Sequence, residues 1–536
     1  MAPALAALAS GLAAAVAHPP FGWIIGLTGF AVLLWLIDRA DPVRPLRSAF
    51  WRGWLMGTSY FTVSLWWISE AFMVDAEAHG WQAPFAVALL AGGLALLWGL
   101  AATAYKLIAP SSRVRVLVFA AVFALEEWLR GHILTGLPWN LPGEAWRAGS
   151  AVSQAASVFG VYGLSLVTIA IFASAALLAG PGPVPRRLAG PAMALGVFGL
   201  IWGFGQWRLD HAVTGPDGPV VRIVQSNVPQ AIKWDLKSFT EILDRHTRLT
   251  AEPAKGLRPD IVVWSESAIP AALDDYMAPY TWTRAQIENS LEPGQVLLVG
   301  APRSVHTPQG RQDFNSLAVF RRMPDGFDRL GVYDKAHLVP FGEYFPMDSL
   351  STWLGLKKLV HVGDGFTAGP QARVMPLAGM PAMAPMICYE SLFPGSIADA
   401  GTRAAWIVNV SNDAWFGATS GPIQHYNMAR YRSIEQGLPM ARSTPTGVSA
   451  MVDAYGRPVA EIGQGKMGII DVALPPALAA PPYHNWGDFP FWIACLVCLI
   501  PAALGPIVAG RAKTRSAASY NMRAHLSPDS DRRSRG

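Results

Sequence analysis

Residues 383–390 read Met383-Ala-Pro-Met-Ile-Cys-Tyr-Glu390, five mostly apolar residues that run straight into a thiol, a phenol and a carboxylate. An apolar run of this length with no polar alternation suits a strand covered on both faces. The pattern recurs. Ile261-Val-Val-Trp264 runs into Ser265-Glu266, Leu330-Gly-Val-Tyr333 into Asp334-Lys335, and Trp406-Ile-Val-Asn-Val410 into Ser411-Asn412-Asp413. Further strands are predicted at Val220–Val224, Val296–Gly300, Ser316–Phe320, Val448–Val452 and Gly468–Asp471, and helices at about 236–252, 283–290 and 422–437, with Pro422 in a first turn. Buried strands alternating with helices mean a layered α/β domain, and the strand ends are where such a sheet presents reactive side chains.

Outside this region the chain changes character. Of its 536 residues 52% are apolar and 15% charged, against about 25% charged in a soluble protein. That balance excludes a disordered chain and an ordinary cytosolic protein. Apolar stretches near 2–17, 22–37, 51–72, 84–106, 114–129, 158–180, 188–208 and 488–509 approach or reach the roughly 20 residues that cross a bilayer. The expected organisation is a membrane domain of seven transmembrane helices over 1–208 and a catalytic domain over 209–486. An eighth transmembrane helix over 487–510 and a basic, disordered tail over 511–536 complete it.

Loop charges orient these spans. Arg39, Arg44, Arg47 and Arg52 lie between the second and third, Lys106, Arg113 and Arg115 between the fourth and fifth, and Arg186 and Arg187 between the sixth and seventh. The tail adds Arg511, Lys513, Arg515, Arg523, Arg532, Arg533 and Arg535. Positive residues stay on the cytoplasmic side. Both termini are therefore expected in the cytoplasm, and the catalytic domain on the opposite, periplasmic side. The formal charge of +5 forms no stripe with interleaved aromatics on that domain, which argues against nucleic acid as a partner.

Three cysteines cannot build a disulfide framework. Cys495 and Cys498 sit in the last span, whereas Cys388 ends a strand like those that end in Glu266 and Lys335. A thiol attacks as thiolate, which needs a base and local positive charge. Glu266 can accept the proton, while Lys335 can stabilise the thiolate and then an oxyanion, aided by the Tyr389 N–H. Glu343 can hold the ammonium in place. His337, His361 and His425 show no metal-ligand spacing, and no phosphate-binding glycine loop is present, so neither metal nor cofactor is expected.

Glu, Lys and Cys on three strand ends, in that order, resemble the triad of the nitrilase superfamily of carbon–nitrogen hydrolases. Longer stretches narrow the resemblance: Tyr333-Asp-Lys-Ala-His-Leu-Val-Pro-Phe-Gly-Glu-Tyr-Phe-Pro346, Ile387-Cys-Tyr-Glu390 and Asn409-Val-Ser-Asn-Asp-Ala-Trp-Phe-Gly417. With Leu134-Thr-Gly-Leu-Pro-Trp139, Gln424-His425, Ala429-Arg430 and Arg442-Ser-Thr444, they closely resemble the apolipoprotein N-acyltransferase family over nearly the whole chain. The resemblance implies a multi-span α-helical membrane domain carrying a nitrilase-like αββα sandwich in a bacterial inner membrane. It implies Cys388 as nucleophile, Glu266 as general base and Lys335 as thiolate and oxyanion stabiliser, with Glu343, Tyr389 and Glu390 in support. Trp234, Tyr344 and Trp415 are expected to meet substrate. The chain departs from the family pattern at Ser265, where proline is usual, and at Pro445-Thr446, where two asparagines are common.

The implied reaction has two halves. Cys388 takes the sn-1 acyl chain of a phospholipid, typically phosphatidylethanolamine, as a thioester. The α-amine of a lipoprotein's N-terminal diacylglyceryl-cysteine then receives it as an amide. The enzyme is expected to act as a monomer without a cofactor. Residues 345–365, apolar at near-helical spacing with Lys357 and Lys358, are expected to form a lid dipping into the membrane. The alternatives are a membrane-tethered amidase that gives the acyl group to water, and a non-catalytic lipoprotein-binding protein.

Overall fold

The computed structural model describes residues 1–503 apart from 111, 255, 309, 347–364, 372–373 and 398–401; of Leu236 it describes the backbone alone. The expected lid lies largely outside the described residues, and the basic tail wholly so.

Each apolar stretch is helical over most of its described residues. Ala76–Ile108, Val152–Ala179 and Val184–Asp210 are long and apolar enough to cross a membrane, while Ala2–Ala15, Ile24–Asp38 and Phe489–Ala503 are shorter apolar helices. The last of these is cut by the limit of description. The third expected span begins earlier than anticipated, as the helix Pro45–Leu65, because Pro45 is preset for a first turn. Arg47 and Arg52 are thus carried on that helix, and Arg52 donates to the Leu36 carbonyl. The helix Arg115–Arg130 tolerates Glu127 because it is paired with Arg130 and accepts a hydrogen bond from Trp98 Nε1 at 3.0 Å. Arg130 in turn donates to the carbonyls of Leu137 and Trp139, clamping the loop that follows its own helix.

The second half is two stacked sheets. Six strands run in the order β11-β1-β2-β3-β4-β5, with β1 Val220–Gln225, β2 Ile261–Val263, β3 Val296–Thr307, β4 Gly310–Met323, β5 Gly326–Asp334 and β11 Gly468–Ala473. Five run in the order β10-β9-β8-β7-β6, with β6 Met383–Ile387, β7 Trp406–Val410, β8 Met440–Ser443, β9 Ser449–Val452 and β10 Pro458–Ile462. Strands β1, β2 and β3 are parallel, as are β6, β7 and β8.

Val221, Ile223, Val263, Leu298 and Val319 of the first sheet meet Ile387, Val408, Val410 and Met451 of the second in a sealed core. The helices Phe239–Ala251 and Trp282–Asn289 cover the outer face of the first sheet through Ile242, Leu243 and Ile287. The helix Gly421–Gln436 covers the second through Tyr426 and Ala429. This is the αββα sandwich expected from the motifs, and the burial of β1, β2, β6 and β7 on both faces explains their apolar runs.

The helix Gly421–Gln436 is buried on both sides because its far face packs on the helical half. Asn427 accepts from Ala148 N at 2.9 Å and donates to Glu144 O at 2.9 Å, and Glu435 accepts from Val161 N at 3.0 Å. Met428, Tyr431 and Ile434 join the apolar cluster of the membrane helices. Polar side chains that read as surface in sequence thus weld the halves together.

Candidate active site

The ends of β2, β5 and β6 converge. Glu266 follows β2, Lys335 follows β5 and Cys388 follows β6. All three are buried, Lys335 to 1% exposure. Lys335 Nζ lies 2.9 Å from Glu343 Oε1 and 3.7 Å from Glu266 Oε1. The two carboxylates are bridged a second time by Asn315, whose Nδ2 donates to Glu266 Oε1 at 2.6 Å and to Glu343 Oε1 at 2.8 Å. Sheet register puts Asn315 there: Ser316 pairs with Asp334, and Lys335 N extends the ladder to Asn315 O at 2.8 Å. Nothing in the sequence marked Asn315.

Glu343 sits in a tight loop that it helps to close. Its Oε2 accepts from Val339 N at 2.7 Å, and its N donates back to Val339 O at 2.9 Å. Burial opposes the charge on Lys335, but Glu343 and then Glu266 outweigh it and hold the ammonium well above the ordinary lysine range.

Cys388 has φ of +50°, a sharp turn between β6 and the short 3-10 helix Cys388–Leu392. A non-glycine residue in this region costs about 1–3 kcal/mol and persists where its surroundings impose it. Glu390 imposes it. Its Oε2 accepts from Ile387 N at 2.7 Å, while its Oε1 accepts from Tyr333 Oη at 2.7 Å and Ala336 N at 2.8 Å. One buried carboxylate thus ties the Cys388 turn to the Lys335 loop. Tyr389 Oη donates to Gly136 O at 2.6 Å, and His337 Nε2 lies 2.8 Å from Thr135 O, so the loop clamped by Arg130 braces the same turn from the membrane half.

Burial first and Glu266 next push the Cys388 thiol up to about 12, while Lys335 pulls it down, the direction expected of a group that favours the thiolate.

Behind the thiol lies a group the sequence reading did not assemble. Cys388 Sγ, an Asp413 carboxylate oxygen and a His425 ring nitrogen all fall within 4.8 Å of one another. Both Asp413 oxygens are engaged: Oδ1 accepts from Ser411 Oγ at 2.6 Å and faces His425 Nδ1 at 2.9 Å, and Oδ2 accepts from Arg442 Nη2 at 2.7 Å. Burial works against its charge, but Arg442 and then His425 hold Asp413 well below the usual carboxylate range. Burial lowers His425, whose Nδ1 faces Asp413 while its Nε2 lies 3.0 Å from Ser391 Oγ and 3.2 Å from the Cys388 carbonyl oxygen. The chemistry is a charge-paired brace beneath the thiol, and its signal in sequence was that Asp413, His425 and Arg442 each fall in one of the quoted motifs, with nothing to join them.

Gly447 presses on that brace, since a Cβ there would lie 2.5 Å from Asp413 Oδ2. Gly447→Ala is expected to cost about 1–3 kcal/mol through overpacking, seen as a lowered thermal midpoint in detergent. An unchanged midpoint would show that the brace yields freely. The departures from the family pattern act through backbone: Pro445 O accepts from Asn227 N at 2.7 Å and Thr446 O from Gly465 N at 2.8 Å. Ser265 is fully enclosed, with its carbonyl against Gly300.

Two of the expected substrate contacts occupy loops, and Trp415 lies in the 3-10 helix Asp413–Phe416. Trp234 is 50% exposed and Trp415 40%, while Tyr344 is partly buried and pairs its carbonyl with Phe341 N at 2.8 Å. Each adjoins a residue of the site in sequence: Lys233, Asp413 two residues away, and Glu343.

Residues 10–175 match the family model of the apolipoprotein N-acyltransferase N-terminal domain, and residues 221–481 that of carbon–nitrogen hydrolases. The chain is 50% identical over 505 residues to an apolipoprotein N-acyltransferase of Caulobacter vibrioides, covering 94% of each chain. It is 40% identical over 525 residues to one of Brucella melitensis, covering 95% of this chain and 96% of that one. Among solved structures, a carbon–nitrogen hydrolase from Helicobacter pylori G27 matches with a TM-score of 0.34 and 16% identity, over 47% of this chain and 88% of that one.

Proposed function

The chain belongs to the apolipoprotein N-acyltransferase family, and from that premise we propose that Cys388 carries an acyl chain from a phospholipid to the N-terminal α-amine of a diacylglyceryl lipoprotein. The observation that carries this reading is the enclosure of Cys388 with Glu266 and Lys335, the two carboxylates held by Lys335 and Asn315.

Because sulfur rests protonated, Glu266 removes its proton as the S–C bond to the sn-1 ester carbonyl forms. The charge that develops on the carbonyl oxygen is met by Lys335, already dry and fixed, so little reorganisation is needed. Collapse expels the glycerol oxygen, which takes the proton from Glu266 and leaves as a lysophospholipid. In the second half the α-amine attacks the thioester, gives its proton to Glu266, and the proton returns to sulfur as the C–S bond breaks. The net result is one ester and one amine converted to one alcohol and one amide, with the enzyme regenerated.

Both substrates are anchored in lipid, which favours a site carried on membrane helices at the bilayer surface. The reading therefore includes eight spans, cytoplasmic termini and a periplasmic catalytic domain in the inner membrane. The loop charges and the exposed apolar side chains Leu188, Met193, Leu195 and Leu200 of Val184–Asp210 support it.

Intact mass spectrometry tests the first half. After mixing with phosphatidylethanolamine alone, the protein is expected to gain one acyl chain, removable by hydroxylamine and absent in Cys388→Ala. Adding a diacylated lipopeptide is then expected to clear the adduct and yield N-acyl lipopeptide. No adduct, or free fatty acid as the sole product, would overturn the proposal.

A further inference from the structure

Beside the Glu266 turn lies a buried cation that the mechanism does not use. Lys233 ends the four-residue helix Gln230–Lys233 and is 1% exposed, although its neighbour Trp234 is half in solvent. Among the described residues, its Nζ has one hydrogen-bond acceptor, the backbone carbonyl of Glu266 at 3.1 Å. A strongly hydrated ammonium sealed in this way loses its water shell, so it persists only where its charge is answered.

Its helix is fixed from the other side. Gln230 Oε1 accepts from Asn412 Nδ2 at 3.0 Å, linking it to the turn after β7 that carries Asp413. The Glu266 turn needs holding too, because Ser267 has φ of +46° and the Glu266 Cα rests on Gly300, where a Cβ would lie 2.5 Å away.

We propose that Lys233 is a positioning residue for acyl transfer: its ammonium pins the Glu266 turn by the carbonyl and keeps one negative charge available to be passed between Glu266 and Cys388. The inference rests on the catalytic reading above and deepens it. With the thiol protonated, the enclosed groups Glu266 and Glu343 carry two negative charges, and Lys335 alone answers one of them. Moving the Sγ proton to Glu266 shifts a negative charge from oxygen to sulfur without changing the total. A second ammonium beside the pair stabilises both ends of that shift, so the charge can move without leaving the site unbalanced. Without Lys233 the Glu266 and Glu343 carboxylates would face the single ammonium of Lys335, and further charge developing on the carbonyl oxygen in the transition state would be opposed.

The groups facing Lys233 are Glu266 and Cys388, which favour its charge, and His246 of Phe239–Ala251, which burial lowers to about 4 and which is therefore neutral at working pH. Burial outweighs the first two and brings Lys233 down to about 8. It is thus an ammonium below that pH and loses its proton above it. Lys335, held far higher, keeps its proton across the same range.

The test uses the full chain in lipid nanodiscs and follows the rate of Cys388 acylation by phosphatidylethanolamine from pH 6 to 10, with thermal unfolding as the check on folding. Wild type is expected to fall off above about pH 8. Lys233→Arg, which stays charged, is expected to retain activity at neutral pH and to lose that alkaline limb. Lys233→Met is expected to acylate about 10- to 100-fold more slowly at neutral pH, with no alkaline limb near 8.

A Lys233→Met protein with the wild-type rate and profile would overturn the proposal. So would an alkaline limb that survives in Lys233→Arg, or a folded Lys233→Arg protein as slow as Lys233→Met. If Lys233→Met does not fold, the profile of Lys233→Arg decides alone. Should wild type form no adduct, or Cys388→Ala form one, the catalytic reading fails and this inference with it. A normal wild-type adduct with unaltered Lys233 variants sinks only the role given to Lys233.

Discussion

Cys388→Ser is expected to lower acyl transfer by about 10⁴-fold or more and to leave no ester adduct, although serine differs from cysteine by one atom. The site already pushes a thiol up to about 12 through burial and the neighbouring Glu266 carboxylate. A hydroxyl starts far less acidic than a thiol, and the same surroundings would move it further the wrong way. A carboxylate base can share a thiol proton while the S–C bond forms, but has little hold on that of an alcohol. The fold should be untouched, because the φ of +50° at this position is imposed by Glu390 and its four hydrogen bonds to Ile387, Tyr333, Ala336 and His337. The measurement is the rate of N-acyl lipopeptide formation together with the thermal midpoint. Activity within tenfold of wild type would mean that Cys388 is not the group that bonds to the acyl chain.

Lys335→Met is expected to damage both function and stability. Methionine fills similar space, but it leaves Glu266 and Glu343 enclosed, bridged by Asn315 and without the ammonium 2.9 Å from one and 3.7 Å from the other. Breaking a buried ion pair by removing one partner costs about 3–5 kcal/mol. The remaining carboxylates would relieve the repulsion by taking up a proton, which disables the proposed base. Acyl transfer should fall by about 10³-fold or more, since the charge on the oxyanion also goes unanswered. Lys335→Arg should not rescue it, because a planar guanidinium cannot occupy the point between two carboxylates that a compact ammonium fills. Stability matching wild type across the pH range would show that the two carboxylates are not ionised together. Measurable transfer by Lys335→Met within tenfold of wild type would remove lysine from the mechanism.

Much of the fold was legible because the parallel strands are short and buried on both faces, which writes an unbroken apolar run into the chain. Met383–Ile387 and Trp406–Val410 have the limits the runs suggested. Where strands carry charge the reading stopped. The strand Met440–Ser443 contains Arg442, which looks like surface until Asn409 and Asp413 are seen to receive its guanidinium. The outer halves of Val296–Thr307 and Gly310–Met323 are polar because one face meets solvent, so only their inner ends had been legible. The helix Gly421–Gln436 was placed correctly, yet its burial on two sides could not be foreseen, since its polar residues find partners on a half of the chain far away in sequence.

The amino-acid sequence by itself determined the membrane-plus-sandwich plan, the three strand ends that bear Glu266, Lys335 and Cys388, and Glu343 and Glu390 beside them. These follow from local apolar periodicity and from motifs contiguous in the chain. Only the tertiary structure decided that Asn315 bridges the carboxylates, that Asp413, His425 and Arg442 lie beneath the thiol, that Lys233 is sealed against the Glu266 turn, and that burial raises the thiol. Each of these depends on which charges share one dry enclosure and at what distance, and electrostatic balance of that kind is set by the packing of remote segments.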